Sequence, residues 1–380
     1  MRVVLVAGEP SGDLLGAALM AALRARMPEV RFAGVGGPAM RAAGLECWHP
    51  MDLLSVRGYV EVLRRVPALL RLRRELAARV VRERPDLFVG IDAPDFNLAL
   101  EAKVRRAGIR TVHYVCPSIW AWRGERVRQL RACADHVLAI FPFELPLLER
   151  HGIAATYVGH PLADQLPALP DRMAVRDQLQ LAHAPQVIAL LPGSREAEIE
   201  AMAGSFIETA RLLHARLPGA CFLVPMVNRR LRERFEAEIY ARDAHALPLQ
   251  LLFGHAQAAL AAADVALVAS GTATLEAALL RCPMVIAYRM PAWSWRLMRR
   301  RGYLAYGGLP NILAGRFVVP ELIQEHATPA NLAQALGNLL ADAPVRQQLE
   351  TLFGHMHDTL RQDSPQRVAD AIESLVRGGR

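Results

Sequence analysis

Four carboxylates in the first half of the chain lie where they could accept a proton from a substrate hydroxyl. Glu9 and Asp13 follow the first apolar run, and Asp92 and Asp95 follow a later one, LFVGI. A carboxylate just after a buried strand suits deprotonation of a hydroxyl better than the binding of an anion. Asp92 directly follows its run and is a candidate general base, although its position equally fits the N-cap of a helix beginning near Pro94.

The segment AGEPSGD, residues 7–13, stands where a dinucleotide-binding protein would carry three spaced glycines. It carries Glu9, Ser11 and Asp13 instead, at the start of a predicted helix. Backbone N–H groups at a helix N-terminus favour anions, but two carboxylates beside them would repel a pyrophosphate. We therefore expect this loop to meet the hydroxyl groups of a substrate.

Residues suited to binding a diphosphate occur in the second half of the chain. The segment SGTATLE begins a predicted helix at Ser270, Gly271 and Thr272 with no acidic residue among them, which leaves N–H groups and hydroxyls for phosphate oxygens. Glu276, about one turn further on, can accept both hydrogens of a ribose diol. The same residues also fit an ordinary capped helix with a stabilising acid in its first turn.

A second candidate phosphate loop, LPGSRE, follows another predicted strand of the same half. Gly193 and Ser194 allow close approach to the backbone, and Arg195 adds a cation that can bind phosphate through two parallel hydrogen bonds. The alternative is that Arg195 pairs with Glu196 or Glu198 at the surface. Two such loops on neighbouring strands favour a diphosphate site in this half.

Length and patterning predict two domains of the α/β class. The chain has 380 residues, of which 53% are hydrophobic and 22% charged, and its predicted strands and helices alternate. We expect two Rossmann-like, doubly wound domains, 1–165 and 166–347, that face each other across a cleft lined by the loops above. The tail 348–380 either caps the second domain or packs back on the first. The proline-rich segment 159–172 is the predicted linker, although one large sheet with a long loop there is also compatible.

Several classes of protein are excluded by composition and spacing. Five cysteines without a CxxC motif predict neither a zinc site nor a disulfide framework, and they fit a reducing cytoplasmic compartment. No DxD or HExxH motif occurs, so no metal ion or other cofactor is expected. The first residues lack the apolar core of a signal peptide, and no window has the roughly 18 apolar residues of a membrane span. The net charge of +8 favours an acidic partner.

Six segments carry a resemblance to a known family. In chain order they are AGEPSGD, GIDAPDFN, HYVCPSIWAWR, LLPGSRE, LVASGTATLE and LPNILAGR, and together they resemble lipid-A-disaccharide synthases. The resemblance implies a GT-B fold and an inverting glycosyltransferase that joins UDP-2,3-diacylglucosamine to 2,3-diacylglucosamine 1-phosphate (lipid X) by a β-1,6 bond, releasing UDP. It also implies a peripheral protein at the cytoplasmic face of the inner membrane in bacteria that make lipopolysaccharide. The oligomeric state, a homodimer included, stays open.

The resemblance assigns roles to the residues that match the family's motifs. Asp92 matches its proposed general base, Arg195 its donor-site arginine, and Asn311, in LPNIL, its essential asparagine. Glu9 matches the acidic residue of its acceptor loop, and Glu276 matches the ribose-binding glutamate of GT-B enzymes in general. The implied donor half is cationic and the implied acceptor half is acidic, in agreement with the interpretation from residue types.

Lipid substrates imply contact with a bilayer, and two basic segments suit an anionic membrane surface. Residues 60–85 mix arginines with apolar side chains, and residues 293–303 combine tryptophan with arginine. The membrane-contact candidates are Val66, Leu69, Leu70, Trp293, Trp295, Arg299, Arg300 and Arg301. For the first segment, an ordinary surface helix with a solvated basic face is the alternative.

Two other functions compete with this interpretation. A UDP-sugar 2-epimerase of the same fold would keep the nucleotide-binding half but would have no use for an apolar, basic stretch. A nucleic-acid-binding protein would explain the positive charge, but the chain has no helix-turn-helix, zinc-finger, RNP or KH signature. We therefore predict UDP-sugar and lipid partners and no nucleic acid.

Overall fold

The computed structural model describes residues 1–54, 59–120, 126–290, 295 and 306–377. The chain divides into two units: the first comprises Met1–Asp164 and Leu360–Arg380, and the second comprises Gln165–Thr359. The strands form two separate parallel sheets, so the predicted α/β class with two doubly wound sheets is confirmed. The alternative of one large sheet is wrong.

Seven strands form the sheet of the first unit within the described residues. They are β1 (Arg2–Ala7), β2 (Arg31–Gly36), β3 (Glu46–Pro50), β4 (Leu87–Ile91), β5 (Thr111–Tyr114), β6 (His136–Ala139) and β7 (Ala155–Tyr157), in the spatial order β3-β2-β1-β4-β5-β6-β7. Its helices are α1 (Pro10–Arg26), α2 (Pro38–Ala42), α3 (Tyr59–Glu83), α4 (Pro94–Arg106), α5 (Arg126–Cys133), α6 (Glu144–Arg150) and α7 (Pro161–Gln165). The central strands are apolar and buried, β1 from Val3 to Ala7 and β4 along its whole length, because helices cover both faces of a parallel sheet.

The sheet of the second unit has six strands in the described part of the chain. They are β8 (Gln186–Leu191), β9 (Ala220–Met226), β10 (Leu249–Phe253), β11 (Val265–Ala269), β12 (Met284–Tyr288) and β13 (Glu321–Ile323), in the order β10-β9-β8-β11-β12-β13. Its helices are α8 (Arg172–Gln178), α9 (Glu196–Arg216), α10 (Arg229–Ala241), α11 (Ala256–Ala262), α12 (Thr272–Leu279), α13 (Leu309–Ala314), α14 (Pro329–Ala341) and α15 (Ala343–Leu360).

Both sheets reverse their winding direction between two central strands. In the first unit these are β1 and β4, and in the second they are β8 and β11. Open α/β sheets bind ligands at such a switch point, outside the carboxyl ends of the strands. The four loops that contain AGEPSGD, GIDAPDFN, LLPGSRE and LVASGTATLE follow these four strands.

The last helix, α16 (Ser364–Arg377), packs on α1 of the first unit. Asp164 holds its start, because the carboxylate accepts hydrogen bonds from the backbone N–H groups of Gln362 at 3.0 Å, Asp363 at 2.9 Å and Ser364 at 2.7 Å. Arg26 of α1 binds further along the same helix, at Gln366 and Asp370, among others. None of the helices in the described ranges is both long and apolar enough to cross a membrane.

Candidate active site

Glu9 and Asp92 lie on neighbouring loops at the carboxyl edge of the first sheet, after the paired strands β1 and β4. The loops are so close that a Cβ atom at Gly8 would lie 2.9 Å from the Cβ of Ala93. Glu9 and Ser11 are exposed there, and Glu9 occupies the N-cap of α1 without a side-chain hydrogen bond to that helix. The structure therefore brings the predicted acidic residue and the predicted base to one surface.

Asp13 faces the interior of the first unit, only 4% exposed. Its carboxylate accepts hydrogen bonds from the backbone N–H groups of Gly37 at 2.7 Å, Ala39 at 2.9 Å and Met40 at 3.0 Å, at the start of α2. The Asp13 oxygens satisfy backbone donors that would otherwise be buried without partners, which favours a structural role. The predicted contact of Asp13 with a substrate hydroxyl stays a prediction.

The backbone at Asp92 is strained. Asp92 and Ala93 both adopt left-handed conformations, with φ angles of 50° and 44°, at a cost of about 1–3 kcal/mol each. The helix α4 begins at Pro94 with Ala93 as its N-cap and no capping side chain, so the alternative that Asp92 caps this helix is wrong. Strained non-glycine residues of this kind cluster at active sites. The Asp92 side chain is half-buried at the edge of the sheet.

Asn97 holds the strained turn in place from inside the unit. It is completely buried, and its side-chain amide donates to the carbonyl oxygens of Val6 at 3.2 Å, Ile91 at 3.3 Å and Asp92 at 2.9 Å. The Asp92 N–H donates to the Tyr114 carbonyl at 2.9 Å. The turn is thus tied to three strands, β1, β4 and β5. This explains how the fold maintains a conformation that the isolated chain would avoid.

Glu144 is a buried acid at the same edge that the sequence interpretation missed. Its carboxylate accepts hydrogen bonds from the Trp120 indole at 3.2 Å and from the N–H groups of Ile140 at 3.2 Å and Phe141 at 3.1 Å. Burial nevertheless raises the pKa of Glu144 to about 8. The sequence gives a weaker signal for Glu144 than for Asp92, because Asp92 directly follows β4 whereas Glu144 begins α6, several residues after the end of β6.

In the second unit, Arg195 lies at the N-cap of α9 with 80% of its side chain exposed. One guanidinium nitrogen lies 3.5 Å from a carboxylate oxygen of Glu198, while Glu196 pairs with Arg230 and Arg234 of α10. The alternative to phosphate binding, an ion pair of Arg195 at the surface, is therefore present with Glu198 and not with Glu196. An exposed pair of this length contributes about 0–1 kcal/mol, so it does not prevent Arg195 from binding a phosphate.

The start of α12 forms the second part of this edge. Gly271 is the N-cap, and no side chain of the described residues caps the helix, which disfavours the ordinary capped-helix alternative. Gly271 and Thr272 are exposed, Ser270 is half-buried, and the Ser270 N–H donates to the carbonyl of Ala287 in β12 at 3.1 Å. The uncapped start of a helix is a position where anions bind.

Glu276 lies on the same helix, half-buried. Burial raises the pKa of Glu276, and a hydrogen bond with the Gln257 side chain opposes this rise. Tyr288 is the last residue of β12, and its pKa responds to charged residues at the start of α9. Burial raises the pKa of Tyr288, the Glu198 charge adds to the rise, and the Arg195 charge opposes it. The charges of Arg195 and Glu198 therefore affect the pKa of a residue in β12, the strand that also binds the N–H of Ser270.

Asn311 is buried completely at the start of α13. Its amide donates to the Val319 carbonyl at 3.0 Å and to a Glu321 carboxylate oxygen at 2.7 Å, and its oxygen accepts from the N–H groups of Val318 at 2.7 Å and Val319 at 2.9 Å. These bonds use the donors and the acceptor of the Asn311 amide and tie α13 to the segment entering β13. They favour a positioning role, and the catalytic role of Asn311 stays a prediction.

The membrane-contact candidates are described only in part. Val66 and Leu70 are each 37% exposed on α3, and Leu69 is half-buried. Trp295 is half-buried. The other candidates of the second segment, Trp293, Arg299, Arg300 and Arg301, lie outside the described residues. Across the described ranges, no three His, Cys, Asp or Glu side chains come together as a metal site would require.

Solved structures of other proteins share this fold. UDP-GlcNAc 2-epimerase from Neisseria meningitidis, bound to UDP-GlcNAc, matches with a TM-score of 0.61 and 11% identity over 100% of both chains. A glycosyltransferase from Rickettsia africae matches with a TM-score of 0.60 and 10% identity over 100% of this chain and 99% of that one. At these identities the likeness shows the fold alone, the two-unit α/β fold of GT-B glycosyltransferases and UDP-sugar epimerases.

The chain belongs to the lipid-A-disaccharide synthetase family, whose sequence profile matches residues 3–373. Lipid-A-disaccharide synthase from Methylobacillus flagellatus is 49% identical over 98% of this chain and 99% of its own length. The enzymes of the same name from Chromobacterium violaceum and Burkholderia thailandensis are 51% and 52% identical, each over 99% of this chain and 98% and 97% of their own lengths. The predicted glycosyltransferase function in lipid A disaccharide synthesis is confirmed, and the epimerase alternative is not favoured.

Proposed function

We propose that the chain transfers 2,3-diacylglucosamine from UDP to the 6-hydroxyl of 2,3-diacylglucosamine 1-phosphate, forming a β-1,6 bond and releasing UDP. The observation that carries the proposal is the contrast between the two sheet edges. Exposed Glu9 and half-buried Asp92 lie at the edge of the first unit, and Arg195 with the uncapped start of α12 lies at the edge of the second. An acceptor hydroxyl fits the first edge and a diphosphate fits the second.

Asp92 takes the proton of the acceptor hydroxyl, and the oxygen attacks the anomeric carbon from the face opposite UDP. The new carbon–oxygen bond forms as the bond to the diphosphate breaks, so a single displacement inverts the configuration. Arg195 and the helix start at residues 270–272 stabilise the charge that develops on the leaving diphosphate, through the N–H groups of Gly271 and Thr272 and the hydroxyls of Ser270 and Thr272. Glu9 and Ser11 hydrogen-bond acceptor hydroxyls, and Glu276 accepts the ribose diol.

The substrates carry acyl chains, so the same proposal includes binding to an anionic bilayer at the cytoplasmic face of the inner membrane. Val66 and Leu70 support it, because they expose apolar surface on an arginine-rich helix. The second segment, 293–303, supports it by composition, since tryptophan and arginine together favour a membrane interface.

The direct test incubates purified protein with both diacylated substrates and measures released UDP and the mass of the disaccharide product. We expect UDP and disaccharide in equal amounts, and neither product when the acceptor is omitted. UDP release without a disaccharide would contradict the proposed transfer. Conversion of UDP-GlcNAc to its 2-epimer in a parallel reaction would favour the epimerase alternative instead.

A further inference from the structure

The LPGSRE loop folds around the carboxylate of Glu198. One oxygen of Glu198 accepts hydrogen bonds from the backbone N–H groups of Ser194 at 2.8 Å and Arg195 at 3.2 Å. Gly193 makes this possible, because a Cβ atom there would lie 2.4 Å from the Cβ of Glu198, and its φ of 134° favours glycine. The glycine in the motif therefore accommodates Glu198 of the same chain.

This arrangement changes which atoms of the loop can bind a phosphate. The Ser194 and Arg195 N–H groups point at a carboxylate that is already negative, so a phosphate at the same place would be repelled. The second Glu198 oxygen lies 3.5 Å from the Arg195 guanidinium, whose side chain remains 80% exposed. The guanidinium is thus the group that this loop presents to an anion.

An ordinary capping box explains only part of this geometry. In a capping box the N-cap side chain binds back to its own helix, and the acid three residues later accepts the N-cap N–H. Here the N-cap residue is Arg195, whose long cationic side chain extends outward, and Glu198 accepts a second N–H from Ser194. The charges of both residues also act on Tyr288 at the end of β12, beside the start of α12.

We propose that Glu198 is a positioning residue for the donor diphosphate: it closes the Gly193–Arg195 loop on itself, keeps phosphate off the loop N–H groups and orients the Arg195 guanidinium. This inference rests on the proposed function, because the ligand is the diphosphate of a UDP-sugar. Glu198 acts through Arg195 and does not itself contact the ligand.

The test compares UDP and uridine binding by calorimetry in Glu198→Ala, Glu198→Gln and the control Glu200→Gln. Glu200 lies on the same helix, half-exposed, and pairs with Arg234. We expect Glu198→Ala to weaken UDP binding about tenfold, because the guanidinium loses its orientation. Glu198→Gln should stay within about threefold of the unmodified protein, since its amide oxygen still accepts the two N–H groups. Uridine binding should not change in any variant.

A double-mutant cycle completes the test. If Glu198 acts through Arg195, then Glu198→Ala should have no further effect on UDP binding in an Arg195→Ala background. If Glu198→Ala does not fold, Glu198→Asp replaces it, because the shorter side chain cannot reach both N–H groups.

Three outcomes would overturn the inference. Unchanged UDP affinity in Glu198→Ala would mean that Glu198 only caps the helix. Tighter UDP binding in both Glu198→Ala and Glu198→Gln would mean that Glu198 competes with the phosphate for the N–H groups of the loop. Equal losses for UDP and uridine would mean general damage to the unit. Failure of the unmodified protein to bind UDP would instead contradict the proposed function, and the two failures are therefore distinguishable.

Discussion

At the scale of single residues, Asp92 differs from the other carboxylates of the candidate site in its left-handed backbone conformation. Two consecutive left-handed residues are costly, and the fold maintains them through the buried amide of Asn97 and the neighbouring strands. This turn places the half-buried Asp92 at the switch point of the sheet. A purely structural aspartate would instead be bonded to backbone groups, as Asp13 is.

We predict that Asp92→Asn lowers turnover by about 10²–10⁴, because asparagine keeps the size of the side chain but cannot accept a proton. UDP binding should be unchanged, which calorimetry can establish. The control is Glu29→Gln, an exposed carboxylate in the turn that precedes β2, at the opposite edge of the sheet. Near-normal turnover in Asp92→Asn would transfer the role of base to Glu9.

Asn311 allows a second prediction at this scale. Asn311→Ala leaves the buried N–H group of Val319 and the half-buried N–H group of Val318 without their acceptor, at a cost of roughly 1–3 kcal/mol for the buried group and less for the other. We expect a clear fall in the midpoint of thermal unfolding, and loss of activity only as far as the loop and α13 lose their position. A variant with unchanged stability but no turnover would restore the catalytic role that this structure argues against.

At the scale of elements, the loops that follow β5, β6 and β7 pack around a buried acid, Glu144, and a half-buried imidazole, His160. Trp120 binds Glu144 and packs edge-on against Phe143, while Phe141 lies between Phe143 and His160. Burial lowers the pKa of His160 to about 4, and its Nδ1 accepts the Leu162 N–H at 3.2 Å. These loops therefore favour neutral forms of both side chains.

The two shifts act on stability in opposite directions. The pKa of Glu144 rises from 4.5 to about 8 on folding, so the folded state binds more protons and stability falls as pH rises across that range. The pKa of His160 falls from 6.5 to about 4, so stability falls as pH drops below 6.5. Of the two, Glu144 alone acts between about pH 6.5 and 8.

We therefore predict that Glu144→Gln reduces the downward slope of thermal stability between about pH 6.5 and 8, because glutamine has no proton to lose. Melting curves of the unmodified protein and the variant over this range provide the measurement. Glu149→Gln, an exposed position on the same helix α6, serves as the control and should keep the slope. An unchanged slope in Glu144→Gln would show that Glu144 is ionised in the folded protein despite its burial.

At the scale of the whole molecule, the chain leaves the first unit after Asp164 and returns to it at Leu360. Asp164 accepts the N–H groups that begin the returning segment, so the point of departure and the point of return are joined by hydrogen bonds. The first unit thus contains both ends of the described chain. Its acidic edge and its arginine-rich helix α3 belong to one folded body.

Membrane attachment is tested on the whole protein. Replacing Val66, Leu69 and Leu70 with serine should release the protein from anionic vesicles, because exposed apolar side chains on a basic helix anchor the protein to the bilayer. Activity on detergent-dispersed substrates should be unchanged. Binding should weaken with ionic strength, since each arginine near the surface contributes about 1 kcal/mol. Co-sedimentation with vesicles measures both effects.

A separate variant tests the second segment by changing Arg299, Arg300 and Arg301 to glutamine. The control for both variants is Tyr240→Ser with Phe253→Ser, two exposed apolar positions of the second unit. If neither variant leaves the vesicles, the membrane-contact surface lies elsewhere. If the arginine changes release the protein and the apolar changes do not, binding is electrostatic, which is the pattern expected of a nucleic-acid-binding surface.

The sequence by itself determined the class of fold and the loops that matter. Buried apolar runs alternating with helices predict parallel sheets, because only strands covered on both faces are apolar throughout. The polar residues that directly follow such runs must lie at the carboxyl edge, where α/β folds bind ligands. That logic correctly located the loops of Glu9, Asp92, Arg195 and Gly271, and the motifs they carry identified the family.

Only the tertiary structure decided which polar side chains in those loops are available to a substrate. Glu9 and Asp13 are four residues apart, yet one is exposed and the other is bonded to the start of α2, more than twenty residues away in the chain. Asn311 and Glu198 are likewise bonded to backbone N–H groups of nearby loops. The spacing of residues in the sequence indicates which loop a side chain belongs to. Whether that side chain is already hydrogen-bonded depends on which backbone groups the folded chain brings beside it.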